Sequence, residues 1–371
     1  MEDTVTMSSK ELQRAETLAL VVAKRMSQQA AAELLGLTTR QLRRLQRRYE
    51  VQGGAGLVSG RRGRPSNRRL PVERRAEALR IVRDHYADFG PTLAHEKLTE
   101  VHGLRLSVET LRRWMVEDGL WLTRAKRRDR VQQPRHRRAC VGELIQIDGS
   151  DHEWFEARAE RCTLLVYIDD ASGRLMHLHF CEAESTFAYF AATRRYLELH
   201  GKPVAFYSDK ATVFRVNAKE PVGGDGFTQF GRAMHALNID SICANPPAAK
   251  GRVERANLTL QDRLVKELRL AGVSDMDAAN RFAPVFIEDF NRRFAKTPAS
   301  EHDAHRPLAA HESLDDEFRW QETRKVSRQM TLNYKRVLYR ITPCELAQQA
   351  VGNRVLVSEA DDGAVRLFFE G

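Results

Sequence analysis

At 371 residues the chain is too long for one ordinary domain and long enough for two or three, each able to bury a core. Hydrophobic residues make up 42% of it, which excludes a disordered chain, and no apolar run, that of residues 18–23 included, approaches the length of a membrane span. The net charge of +10 is unevenly spread: residues 1–140 hold 30 Lys and Arg against 16 Asp and Glu, and the remainder 30 against 34. A basic front before a slightly acidic back suits nucleic-acid binding coupled to a carboxylate-rich site, the plainer alternative being a solvated surface. The opening residues have neither the basic start nor the apolar stretch of a secretory signal, and the five cysteines never take zinc spacing. Free, mostly buried thiols in a reducing compartment are the expectation.

In chain order, apolar positions at Leu12, Ala15, Leu18, Ala19 and Val22 predict a helix over 10–24, and a second runs from Ser27 to Leu35 before Gly36. Thr38 with Gln41 has capping-box spacing and opens a third, whose Leu42 and Leu45 face inward while Arg40, Arg43, Arg44, Arg47 and Arg48 face out. Small residues, a glycine turn and a basic helix form a helix-turn-helix pattern, with Arg40, Gln41, Arg43, Arg44 and Arg47 as candidate DNA contacts. Residues 53–70 read as a basic flexible linker in which Arg62 and Arg64 are further candidates; Gly63-Arg64-Pro65 suits a minor-groove hook or a mere tether. Helical periodicity resumes over 71–123 as a second helix-turn-helix, its last helix capped by Ser107 and carrying Arg112 and Arg113. A basic connector spans 124–139.

From Cys140 the pattern becomes α/β. Strands are predicted at 144–148, 162–168, 174–180, 204–207 and 239–243, with helices over 184–199, 226–236 and 250–270 and another containing 288–293. Residues 296–330 read as a connector, and 331–371 as a small β-barrel with a hairpin turn at Asp362-Gly363.

Three carboxylates stand where such an order could bring them to one sheet edge. Asp148 ends the first strand, Asp209 follows the fourth, and Glu254 lies near the start of the long helix. Converging hard oxygen ligands are what a pair of Mg²⁺ or Mn²⁺ ions needs for in-line displacement at phosphorus. Taken singly, an Asp after a strand is more often a turn former. Together, in Asp148–Phe155 (DGSDHEWF) and Tyr207–Lys210 (YSDK), the residues resemble the RNase H-like catalytic core of retroviral integrases and insertion-sequence transposases, the ISNCY type above all. The resemblance implies that Asp148, Asp209 and Glu254 are the catalytic, metal-binding acids, that helix-turn-helix modules precede the core over 140–295, and that a small β-domain follows it. The 44 residues between Asp209 and Glu254 exceed the family's usual gap, which makes Glu267 the fallback third acid.

Lys250, Arg252 and Arg255 flank Glu254 and are candidate phosphate contacts, a solvated basic face being the alternative. Asp151 and His152 follow the first acid and suit either a turn or a phosphate contact, and Asp169 and Asp170 read as turn formers before Gly173. No P-loop and no Ser or Cys nucleophile motif is present. The function expected is a DNA transposase that binds terminal inverted repeats and cleaves and joins strands with two metal ions, acting as a homo-oligomer on double-stranded DNA without membrane or nucleotide cofactor. The rivals are a DNA-binding regulator with an inactive core and a nuclease without joining activity.

Overall fold

The computed structural model describes residues 6–60, 62, 70–122, 136–209, 213–214, 228–243 and 251–369. The chain divides into two compact units, Met1–Leu122 and Thr123–Gly371. None of the described helices is long and apolar enough to cross a membrane.

The first unit is helical. In α1 (Ser9–Val22), α2 (Gln28–Leu34) and α3 (Thr39–Gln52), the N-caps Ser8, Ser27 and Thr38 each accept from a backbone N–H three residues on, so groups a helix start leaves unpaired are satisfied locally. Gly36 takes φ +60° at the turn between α2 and α3, where a side chain would be strained. Ala31 and Ala32 are buried with Leu18, Val21 and Leu42, small residues letting the helices cross closely. The expected linker begins later than position 53: a 3-10 turn over Gly53–Leu57 buries Leu57 in this cluster, and the Ser59 N–H donates to Glu11 Oε1 at 2.9 Å. Positions 63–69, including the Gly63-Arg64-Pro65 element, lie outside the described residues. The helices α4 (Val72–His85), α5 (Pro91–Glu100) and α6 (Val108–Glu117) enclose a separate cluster containing Val82, Phe89, Leu98, Leu111, Trp114 and Met115.

The second unit is built on a five-stranded sheet. Its strands are β1 (Leu144–His152), β2 (Cys162–Asp169), β3 (Leu175–Cys181), β4 (Ala205–Ser208) and β5 (Asp240–Cys243), in the order β3-β2-β1-β4-β5. The first three form an antiparallel meander, and β4 and β5 run parallel to β1. This mixed order follows from the connections: a loop with one 3-10 turn joins β1 to β2 and a turn joins β2 to β3, whereas α7 (Thr186–His200) and α8 (Gln229–Ala236) make the crossovers that parallel strands require. Alternate side chains feed two cores. Ile145, Ile147, Leu165, Tyr167 and Phe206 pack with α7 and α8, while Leu164, Val166, Ile168, Leu178 and Phe180 pack with α9 (Gly251–Leu270) and α10 (Met276–Phe294). The result is an α/β/α sandwich.

The edge strand β3 is covered by α10. Asn291 accepts from the Leu175 N–H and donates to its carbonyl, both at 2.8 Å, and Asn280 does the same for Phe180 at 2.7 and 3.0 Å. Eleven helical residues and five strand residues both span roughly 16 Å, so one helix can pin both ends of the exposed edge. Only 288–293 of this helix stands out in the sequence, because Pro284 lies inside it.

Residues 296–330 are more than a connector. Leu314 and Phe318, on and just after α11 (Leu314–Glu317), enter the α7-side core, and Lys202 forms an ion pair with Glu312 in which both side chains are 7% exposed. Beyond them, β6 (Trp320–Lys325) pairs with β9 (Arg354–Glu359), which also pairs with β10 (Val365–Phe368). A hairpin of β7 (Thr331–Tyr334) and β8 (Val337–Arg340) and the short α12 (Glu345–Ala350) complete this part. Among the described residues the expected barrel is not closed: the three-stranded sheet and the hairpin are separate and open, because β6 takes the place beside β9 and no described strand joins β7 or β8 to that sheet.

Candidate active site at the β1, β4 and α9 edge

The parallel register of β1 with β4 runs from Leu144 with Ala205 to Gln146 with Tyr207, so Asp148 and Asp209 each follow the last paired position of their strand by two residues. The helix α9 lies alongside β1 on this face. The Val253 N–H donates to Gln146 Oε1 at 3.3 Å, Asn257 Nδ2 to Asp148 Oδ2 at 2.9 Å, and Gln261 Nε2 to Ser150 Oγ at 3.1 Å. Four helical residues rise about 6 Å and two strand residues about 6.7 Å, so helix and strand stay in step over three contacts. Glu254 sits in the first turn, three residues before Asn257, and its side chain is exposed. Glu267, ten residues past Asn257, is about 15 Å further along the helix, which removes it as a partner for Asp148.

Among the described residues, no three His, Cys, Asp or Glu side chains stand close enough together to hold an ion. The segments 210–212 and 244–250, which adjoin Asp209 and α9, lie outside the described residues, Lys250 among them. What is described fits a hard divalent cation in kind. Asp148 carries oxygen donors, and Asn257 Oδ1 is a buried acceptor without a protein hydrogen-bond partner, beside the Asp148 carboxylate.

Two acidic side chains near this edge have roles the sequence does not announce. A Cβ on Gly149 would lie 2.1 Å from Glu184 Oε1, so glycine after Asp148 makes room for that carboxylate. Tyr189 donates to Glu184 Oε2 at 2.9 Å, and burial together with the Glu184 charge pushes the phenol well above its ordinary pKa. The second is Asp170. Asp169 makes the expected turn by accepting from the Ser172 N–H and hydroxyl, but Asp170 is fully buried, accepts from Gln146 Nε2 at 2.7 Å and is ion-paired with Arg252. Arg252 is thus engaged inside the core, whereas Arg255 is exposed. Asp151 and His152 continue β1 and form no turn; Asp151 pairs with Arg161 and the His152 ring meets Trp154 edge-on.

The cysteines are free, and burial pushes Cys162 up to about 11 and Cys181 up to about 12, which leaves both as thiols. A cavity of about 1130 Å³ lies between β3, α7 and α10, and none of the three carboxylates lines it.

On α3, Arg40, Arg43, Arg44 and Arg47 are exposed, and Arg43 Nε donates to Gln28 Oε1 at 3.1 Å. Gln41 closes the capping box: its Oε1 accepts from the Thr38 N–H at 2.9 Å and from the Thr38 hydroxyl at 3.2 Å, which competes with bidentate pairing to adenine. Arg62 is ion-paired with Glu11 at 2.5 Å, and on α6 Arg112 pairs with Glu109 and Arg113 with Glu117. Arg64 lies outside the described residues.

Residues 14–76 match a winged helix-turn-helix family model. The chain is 51% identical over 368 residues to a protein of Sinorhizobium fredii named as transposase y4bF, covering 99% of this chain and 80% of that one. It is 31% identical over 312 residues to the transposase for insertion sequence IS1202 of Streptococcus pneumoniae, covering 74% and 66% respectively. Among solved structures, the HTLV-2 integrase catalytic core in its dimeric form matches with a TM-score of 0.32 at 17% identity over 45% of this chain and 97% of that chain. The simian T-cell lymphotropic virus intasome matches with a TM-score of 0.36 at 15% identity over 78% and 95%. With a helix-turn-helix front, a β3-β2-β1-β4-β5 core and half-identity to a transposase along nearly its whole length, the chain belongs to the family of insertion-sequence transposases.

Proposed function

We propose that the chain binds the terminal inverted repeats of a mobile element through its N-terminal helices and cleaves and joins DNA strands at the edge where Asp148, Asp209 and Glu254 stand. The observation that supports this is the in-step docking of α9 on β1, in which Asn257, three residues after Glu254, donates to Asp148, together with a β1–β4 register that ends two residues before Asp148 and Asp209. Asp148, Asp209 and Glu254 would hold Mg²⁺ or Mn²⁺, two ions per site. Such ions supply charge neutralisation at the scissile phosphate and activation of the attacking oxygen. The chain's own part is positioning. Asn257 orients the Asp148 carboxylate by donating to one oxygen, the parallel β1–β4 pairing carries Asp148 and Asp209 to the same end of the two strands, and exposed Arg255 adds positive charge beside Glu254 for a phosphate. On the DNA-binding side, the exposed Arg40, Arg43, Arg44 and Arg47 form a cationic face on α3, and insertion of two ends calls for a homo-oligomer on DNA.

The test is Asp148→Asn, Asp209→Asn and Glu254→Gln, each assayed for 3′-end cleavage and strand transfer on a labelled terminal repeat at equal DNA binding. Loss of both steps in all three, with binding retained, is expected, because one site serves both displacements. Near-parental cleavage in all three rejects the mechanism, and cleavage without joined product in the parent chain assigns a nuclease.

A further inference from the structure

We propose that Arg252, Asp170 and Gln146 form a buried clamp that sets the position of Glu254, which makes Arg252 a positioning residue for the carboxylate site and not a DNA contact. The inference rests on the carboxylate reading above.

The contacts close into a ring. Gln146, two residues before Asp148 on the same strand face, gives its Nε2–H to Asp170 Oδ1 at 2.7 Å and accepts the Val253 N–H on its Oε1. Arg252 Nη1 meets the same Asp170 oxygen, and the other, Oδ2, accepts the Arg138 N–H at 2.9 Å. Val253 and Arg252 are the two residues immediately before Glu254. The N–H groups of a helix's first turn have no partner within the helix, so a Gln side chain from β1 caps α9 from outside while the ion pair fixes its rotation. Asn257 holds the next turn to Asp148. Glu254 is therefore bracketed by an anchor on each side, both of them tied to β1.

Burial decides between this role and a phosphate contact. Gln146 and Asp170 are wholly buried, and the Arg252 side chain is 11% exposed. Swinging Arg252 out to a phosphate would strip compensation from an ionised carboxylate in the interior, a larger penalty than a solvent-screened contact returns. The guanidinium also offers several N–H donors in a rigid plane, so lysine is a poor geometric substitute that preserves the charge.

Arg252→Ala leaves a buried charge alone and is open to misfolding, so the informative variants are Arg252→Lys and the double Asp170→Asn/Arg252→Met, which leaves none. In the full-length chain three quantities are read: Mn²⁺ affinity by electron paramagnetic resonance without DNA, half-saturating Mg²⁺ for 3′-end cleavage, and the salt dependence of terminal-repeat binding. Partners that orient metal-binding side chains typically change metal affinity about 10- to 100-fold, so both variants should bind Mn²⁺ at least about tenfold more weakly and need correspondingly more Mg²⁺, with DNA affinity and salt slope unchanged. Parental metal affinity in the folded double variant overturns the clamp. A salt slope reduced by about one with parental metal dependence returns Arg252 to the DNA contacts. Asp148→Asn is the control: if it abolishes Mn²⁺ binding while the clamp variants do not weaken it, the clamp alone fails, and if the parent binds no Mn²⁺ and Asp148→Asn cleaves normally, the carboxylate reading fails with it.

Discussion

Asn257 joins α9 to Asp148 by a hydrogen bond, and replacing it measures what that contact is worth. Its Nδ2 donates to Asp148 Oδ2 at 2.9 Å, and its Oδ1 is buried without a protein partner. A hydrogen bond to a charged group contributes about 1.5–3 kcal/mol. Asn257→Leu removes it at similar volume, and at about 1.4 kcal/mol per tenfold, cleavage should slow roughly 10- to 150-fold if the bond persists through the transition state. Asn257→Asp is the sharper perturbation, because it sets a second carboxylate within hydrogen-bonding distance of Asp148. Like charges at that separation raise the pKa of one of the pair. A carboxyl with a raised pKa keeps its proton to higher pH, so the doubly ionised pair exists only above the raised value and is lost as pH falls through it. Cleavage by Asn257→Asp should therefore fail on acidification at a higher pH than in the parent. The assay is single-turnover 3′-end cleavage of a labelled terminal repeat across about pH 5.5–8.5, at equal DNA binding. A Leu variant within about twofold of the parent, or an Asp variant with the parental pH profile, refutes the idea that this contact shapes the site.

Other regions give independent tests. Backbone N–H groups of Ser8 and Ser59, then Arg62, hold Glu11 down from 4.5 to about 2, so its stabilising contribution is complete above about pH 4.5 and lost as pH falls toward 2; Glu11→Gln should flatten that part of the acid-unfolding curve, and an unchanged curve contradicts the assignment. Gly201 has φ +83°, and an added Cβ would lie 2.7 Å from the Arg306 carbonyl oxygen; Gly201→Ala should lower the melting temperature, by more than about 1 kcal/mol of stability, as read by thermal denaturation. Lys202→Met should destabilise the second unit more than the double Lys202→Met/Glu312→Leu, because only the single change leaves a buried charge unpaired, and equal melting temperatures count against a buried pair. On α3, Arg40→Ala and Arg44→Ala should each weaken discrimination among terminal-repeat sequences by about 1–3 kcal/mol, whereas Gln41→Ala should chiefly loosen the helix start; competition binding and melting curves separate the two.

Much of the molecule was legible because the determining interactions are local. Ser27, Thr38 with Gln41, Gly36 and Ser107 mark helix ends within three or four residues of the groups they satisfy, and the alternation of apolar residues marks the five core strands to within a few positions, β1 running further than its first apolar stretch. Asp148, Asp209 and Glu254 could be nominated from a first strand, the end of a fourth and a helix start, although β1 runs four residues past Asp148. Contacts between distant segments decided the rest. Asp170 looks like a turn residue because its neighbour Asp169 is one; only the docking of α9, 82 residues later, gives it Arg252 as an ion-pair partner. Pro284 hides a continuous helix whose reason for existing is the unpaired edge of β3. Residues 296–319 look like a tether because their few large apolar side chains, Leu308, Leu314 and Phe318, show no period, and they are ordered by burial against the α7-side core and by Lys202. The last strands are individually visible, yet whether they close into a barrel depends on which edges meet, and β6 settles that by pairing with β9. Caps and periodicity act over one turn or one strand, whereas buried charge and sheet edges are satisfied by whichever distant segment the fold brings to them.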